Sequence, residues 1–139
     1  MRSEIEIKNI LTSVFPDGNY LKKAQFDKFP LIKEKIFTVK DLHEEFLSMP
    51  EESLKKYSAT RMQISGTAIK VEIDIHGLPS VQVSDKINGE IYILCVFNDN
   101  SILKEVERGN NVVIEGNYLL YHKDYRIVLK NCELIKKDI

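Results

Sequence analysis

Tyr121, His122, Lys123, Tyr125 and Arg126 crowd one short stretch of the chain and set aromatic rings beside cations. A single nucleic-acid strand requires that combination, because rings stack on bases at about 1–3 kcal/mol each and the charges meet phosphates. Tyr and Lys are also ordinary at the end of a hairpin, so the stretch reads as a plain turn as well. Other residue sets carry less. Asp74 with His76 and His122 with Asp124 would resemble an acid/base pair if they met at one rim. No serine or cysteine nucleophile with a convincing base stands nearby, and turn chemistry accounts for all four. His43, His76 and His122 are far apart, and neither Cys95 nor Cys132 sits near a matching ligand pair, so no metal is expected. The six glycines are isolated and form no phosphate-cradling loop. The reading is of a chain without catalytic residues, metal or cofactor.

Charge narrows the partners. Across 139 residues, 20 Lys and Arg face 21 Asp and Glu, a net charge of -1 that gives no long-range pull toward phosphate or an anionic membrane. Any anion contact must come from a local patch. MRSEIEIKNILTSVF alternates charged and apolar residues without an uninterrupted apolar run, which is neither a secretory signal nor a membrane span, and the expected location is cytoplasmic. Cys95 and Cys132 lie in apolar runs and are expected as buried, reduced neighbours.

The elements that must position these residues fall into two regions. Residues 1–57 read as a helical region packed on the remainder of the chain. Ser3 and Glu6 make a capping-box pattern ahead of Ile7, Ile10, Leu11 and Val14, and Pro16 to Gly18 end that helix. Asn19 to Lys35, interrupted by Pro30, reads as helix and then extended linker. Thr38 caps a segment whose stripe is Val39, Leu42, Phe46 and Met49, and Ser48 with Pro50 starts another helix through Leu54 to Tyr57. The stripe suits either packing on the second region or a partner-binding helix.

Residues 58–139 alternate as strands. The runs are Arg61 to Ile75, Pro79 to Ser84, Ile91 to Phe97, Asn111 to Tyr121 and Tyr125 to Ile135, with a helix from Ile102 to Arg108 between the third and fourth. Five strands with one helix in that place mark a five-stranded OB-fold barrel, giving an α+β, mainly β protein with an N-terminal helical extension. The phase of alternation shifts at Ala68 to Ile69, as a bulge requires in the long, bent first strand. Asn88-Gly89 signals a type I′ hairpin, and Gly109 ends the short helix.

In such barrels the ligand lies on the exposed face of the second and third strands, between the loops joining strands one to two and four to five. The candidate ligand-binding residues are therefore Gln82, Tyr92 and Leu94 on the face with Tyr121, Lys123, Tyr125 and Arg126 in the second loop. Ser80, Ser84 and Val96 share that face. Single-stranded DNA or RNA is the leading partner. A protein partner is the alternative, favoured by the neutral charge and by apolar Leu94 and Val96.

The same segments resemble the OB-fold family described as tRNA-anti-like. The resemblance runs from Thr38 to Leu134 through Tyr57, Ile64-Ser65-Gly66-Thr67-Ala68, Ile93-Leu94-Cys95-Val96-Phe97, Val106-Glu107-Arg108-Gly109, Val112-Val113-Ile114-Glu115-Gly116 and Val128-Leu129-Lys130-Asn131-Cys132. It implies an OB fold, nucleic-acid binding and no catalytic residues. Relatives often carry a lipoprotein signal, which this chain does not show, and residues 1–37 have no counterpart in the resemblance.

Overall fold

The computed structural model describes residues 20–73, 77–122 and 126–138. Two of the expected turns, at Ile75-His76 and Lys123-Asp124, and the helix expected near Ser3 to Val14 lie outside the described residues. In chain order the elements are α1 (Tyr20–Phe26), β1 (Leu31–Thr38), α2 (Val39–Ser48), α3 (Pro50–Tyr57), β2 (Arg61–Ile73), β3 (Pro79–Ser84), β4 (Tyr92–Val96), α4 (Ile102–Glu105), β5 (Asn111–His122) and β6 (Arg126–Asp138).

Strands β2 to β6 close into a barrel. The order β2-β3-β4-β6-β5 returns on itself because β5 also pairs with β2, antiparallel from Arg61↔Asn117 to Thr67↔Asn111. β4 and β6 run parallel at Ile93↔Ile127 and Cys95↔Leu129. The expected bulge is present, since the β2–β3 register slips between Ala68 and Lys70. It lets β2 turn from β5 toward β3 and reverses the parity, so that Met62, Ile64 and Ala68 before it and Val71 after it face the core. Gly66 sits at that bend because a Cβ there would run into the Ser84 carbonyl.

The N-terminal region is not wholly helical. β1 is a sixth strand, parallel to β2 through Leu31↔Arg61 and Ile36↔Gln63 to Thr38↔Ser65. One edge of β2 therefore serves β1 over its first residues and β3 over its last. β-Branched Ile32 and Ile36 with Phe37 favour that extended run, and only Phe37 of the three is fully buried. Thr38 then caps α2, its hydroxyl accepting the Asp41 N–H at 3.1 Å.

α2 lays Val39, Leu42 and Phe46 into the barrel end, where Phe46 stacks on Tyr118 at 5.5 Å and Tyr121 at 4.8 Å and tilts on Tyr57 at 5.6 Å. Packing on the barrel is thus the fate of the stripe, with one correction. Met49 is 48% exposed, because α2 ends at Ser48 and Met49 turns away as the cap of α3. Ser48 does not cap α3, and its hydroxyl instead donates back to the Glu44 carbonyl at 3.0 Å.

Two turn expectations are not met. α4 ends at Glu105 with Val106 as its cap, so Gly109 does not terminate it but turns the chain toward β5 at φ +98, donating its N–H to the Ala68 carbonyl. Asn88-Gly89 forms no type I′ hairpin, since neither residue adopts the positive φ that turn needs and the last pair is Ser84↔Tyr92, leaving a longer loop. Cys95 and Cys132 are buried and in contact, as expected from parallel β4 and β6. Burial first, and the neighbouring Cys132 second, push the Cys95 thiol well above its ordinary range.

Candidate functional site

The outer face of β3 and β4 is mostly closed. Ser80, Ser84 and Val96 point outward by alternation yet are buried, and the two hydroxyls donate to the carbonyls of Glu72 at 3.2 Å and Ile91 at 2.6 Å. Gln82, Tyr92 and Leu94 stay half-exposed. Gln82 pairs directly with Leu94, and Leu94 with Val128 of β6, so these outward side chains form one row across three strands. Lys70, exposed, pairs with Gln82 on the β2 side.

Tyr121 is not part of this surface. It is 8% exposed, stacked on Phe46 and 5.9 Å from the His43 ring. The reason is a bulge in β5. Simple alternation from Tyr118, which is inward, sends Tyr121 outward, but the register slips between Tyr118 and Leu120 and Leu119 is the extra residue. The slip reverses the parity, so Tyr118 and Tyr121 both face the core and Leu119 and Leu120 the outside. Lys123 and Tyr125 lie outside the described residues. Arg126 opens β6 in register with His122, one residue before Ile127 pairs with Ile93, so its backbone lies beside Tyr92. The structure thus brings Gln82, Tyr92, Leu94 and the start of β6 together and removes Tyr121.

A polar network that sequence reasoning missed lies behind the β5–β6 side. Arg61, 1% exposed, holds Glu115 at 2.5 Å, Asn117 Oδ1 at 3.1 Å and the Asn131 carbonyl at 2.9 Å. Asn117 is fully buried, and its amide donates to the carbonyls of Ala24 and Asp27 while Oδ1 accepts the Phe29 N–H at 3.0 Å. Asn131, in the left-handed region at φ +50, donates to the Asp27 carbonyl at 3.0 Å, and Asn98 donates to the Gln25 carbonyl at 2.7 Å. A helix leaves its last carbonyls unpaired. Here three barrel asparagines answer those at the end of α1. The available signal was a lone Asn in the apolar run of β5 and an Arg opening β2.

Burial pushes the Glu115 carboxyl up, and hydrogen bonds from Arg61 and Gln63 with the Arg61 charge outweigh it, leaving it below its ordinary value. Burial and then Glu45 raise the Tyr57 phenol. Among the described residues no three metal-capable side chains cluster, and no helix is long and apolar enough to cross a membrane. On the α2 side, a groove of about 470 Å³ runs between that helix and the β3–β4 loop. Leu47 and Ile91 line it with charges of both signs, Lys40, Lys86, Glu44 and Glu90.

The barrel and its N-terminal strand match the tRNA_anti-like family over residues 12–133. The chain belongs to that family. The match begins well before Thr38, so α1 and β1 fall within the family's span, and a boundary at Thr38 is too late. No curated protein matches the chain. Among solved structures it is similar to a lipoprotein of Klebsiella pneumoniae subsp. pneumoniae to which nucleic acid binding is ascribed. That match has a TM-score of 0.61 at 16% identity and covers 73% of this chain and 92% of the other. A likeness at that identity is one of fold. An asparaginyl-tRNA synthetase of Entamoeba histolytica is similar at TM-score 0.38 and 15% identity, over 57% of this chain and 21% of the synthetase.

Proposed function

We propose that this chain is a non-catalytic OB-fold module that holds single-stranded DNA or RNA across the outer face of β3 and β4. One observation carries the reading. On a face otherwise sealed, the three side chains left half-open are Gln82, Tyr92 and Leu94, at the place where OB barrels hold their ligands. Tyr92 offers a ring to a base, Gln82 an amide that both donates and accepts, and Leu94 an apolar floor. Lys123, Tyr125 and Arg126 would complete the site from the adjoining loop. The family name and the role ascribed to the Klebsiella protein agree with this reading. A cytoplasmic location goes with it.

Such binding is weak, salt-sensitive and tolerant of sequence, because stacking does not read base edges. Fluorescence anisotropy of labelled single strands, titrated with salt, tests it. Leu94→Glu should abolish binding without moving the melting temperature greatly, and Lys123→Ala should lower the salt slope by about 0.7. No binding at low salt and high protein concentration would sink the reading. The second reading is a protein partner in the α2 groove, favoured by the exposure of Leu47 (51%), Ile87 (41%) and Ile91 (40%) around it.

A further inference from the structure

α1 stands at the margin of the open face. Its Ala24, with Phe29 just beyond the helix, is buried against Leu119 on the outside of β5, and Leu120 and Val128 pack half-buried beside them. Val128 is the β6 partner of Leu94, which is the β4 partner of Gln82. At about 4.8 Å per strand, two strand spacings, about 10 Å, separate Gln82 from Val128 at the margin of that cluster. The surface from Gln82 through Leu94 and Val128 is continuous with α1.

The helix turns a defined chemistry outward. Lys22 and Phe26 are four residues apart and Lys23 and Phe26 three apart, so all three share one side of the helix. Phe26 is 62% exposed, the most open large apolar side chain among the described residues. Neither Lys22 nor Lys23 pairs with a carboxylate among the described residues, whereas Lys28 is tied to Glu133 at 2.5 Å. Seven residues are too few for a helix to persist alone in water. Asn98, Asn117 and Asn131 fasten its last turn to the barrel, so the exposed ring and cations are held in place.

We infer that α1 is the second wall of the single-strand site, with Phe26 as a stacking ring and Lys22 and Lys23 as phosphate contacts. The inference rests on the single-strand reading of β3 and β4 and names a side of the site outside the barrel. Its occupant is single-stranded nucleic acid. The helix supplies local positive charge that the chain as a whole, at -1, lacks, and its Ala24 belongs to the cluster on which Val128, the β6 neighbour of Leu94, packs.

The chain has no tryptophan, so Phe26→Trp places a lone reporter on the wall. Labelled oligothymidylate and oligouridylate of about 12 nucleotides, within the range one OB fold accommodates, serve as probes. Adding either should quench the emission of the introduced tryptophan in step with anisotropy. Phe26→Ala should weaken binding at least about fivefold, the low end for losing a stacking ring. Lys22→Ala with Lys23→Ala should lower the salt slope by about 1.4, at about 0.7 per single-strand phosphate contact. Binding that Leu94→Glu abolishes but Phe26→Ala leaves intact, with unchanged tryptophan emission, would overturn the α1 wall and spare the β3–β4 site. Absence of binding by the wild-type protein would overturn both.

Discussion

The two helices α1 and α2 are attached to the same barrel by opposite means. α2 is held by apolar contact, with Phe46 lying on Tyr57, Tyr118 and Tyr121 and Val39 and Leu42 fully buried beside it. Among the described side chains of α1 only Ala24 is buried, and directed bonds from Asn98, Asn117 and Asn131 hold its terminal carbonyls. Apolar burial is non-directional and roughly proportional to area, so it supplies stability and tolerates small shifts. Amide–carbonyl bonds contribute about 1 kcal/mol net each but fix position and are costly to leave unmade. The plug stabilises the barrel, and the latch sets where a short helix stands.

Phe46→Ala breaks the plug and should show the largest effect, about 3–5 kcal/mol in chemical denaturation, with the whole barrel losing stability. A loss below about 1 kcal/mol would mean the helix is a detachable arm. Asn117→Ala attacks the latch. It removes the donor to the Ala24 carbonyl, one of two donors to the Asp27 carbonyl, the acceptor of the Phe29 N–H and one of two acceptors of Arg61 Nη1, for about 2–3 kcal/mol. Hydrogen exchange should show residues 20–29 losing protection while β2 and β5 keep theirs. Equal loss in both regions would erase the distinction between plug and latch.

Acid sharpens the comparison further. The Glu115 carboxyl, bonded to Arg61, titrates below its ordinary value of 4.5, so its contribution is complete above that pH and is lost as pH falls through its folded value. Melting temperature should fall on acidification, and Glu115→Gln should flatten that limb. The ring contacts of Phe46 with Tyr118 and Tyr121 carry no ionisable partner of this kind in their geometry and should hold over the same range. An unchanged acid limb in the variant would remove Glu115 from the latch's energetics. The smallest effect is expected at Met49, whose exposure predicts that Met49→Ala shifts stability by no more than about 0.5 kcal/mol. A larger loss would extend the plug beyond Phe46.

Legibility in the chain divides along similar lines. Thr38 with Asp41, the Val39–Leu42–Phe46 stripe and the phase shift at Ala68 were legible because each is a local pattern with one low-energy solution. The face residues Gln82, Tyr92 and Leu94 were legible because β3 and β4 alternate without interruption. Tyr121 was misplaced because a bulge at Leu119 shifts parity without leaving a mark in composition. β1 was read as a linker because a parallel pairing to β2 joins residues far apart in the sequence.

The order of strands and helix, and hence the barrel, was determined by the sequence alone, because period-two alternation and turn residues act over a few neighbours. So were the helix cap at Thr38 and the burial of both cysteines. Only the tertiary structure decided which side of β5 carries Tyr121, where α1 stands and which asparagines hold it. Those outcomes depend on register between distant strands and on carbonyls that exist as acceptors only once the helix ends beside them.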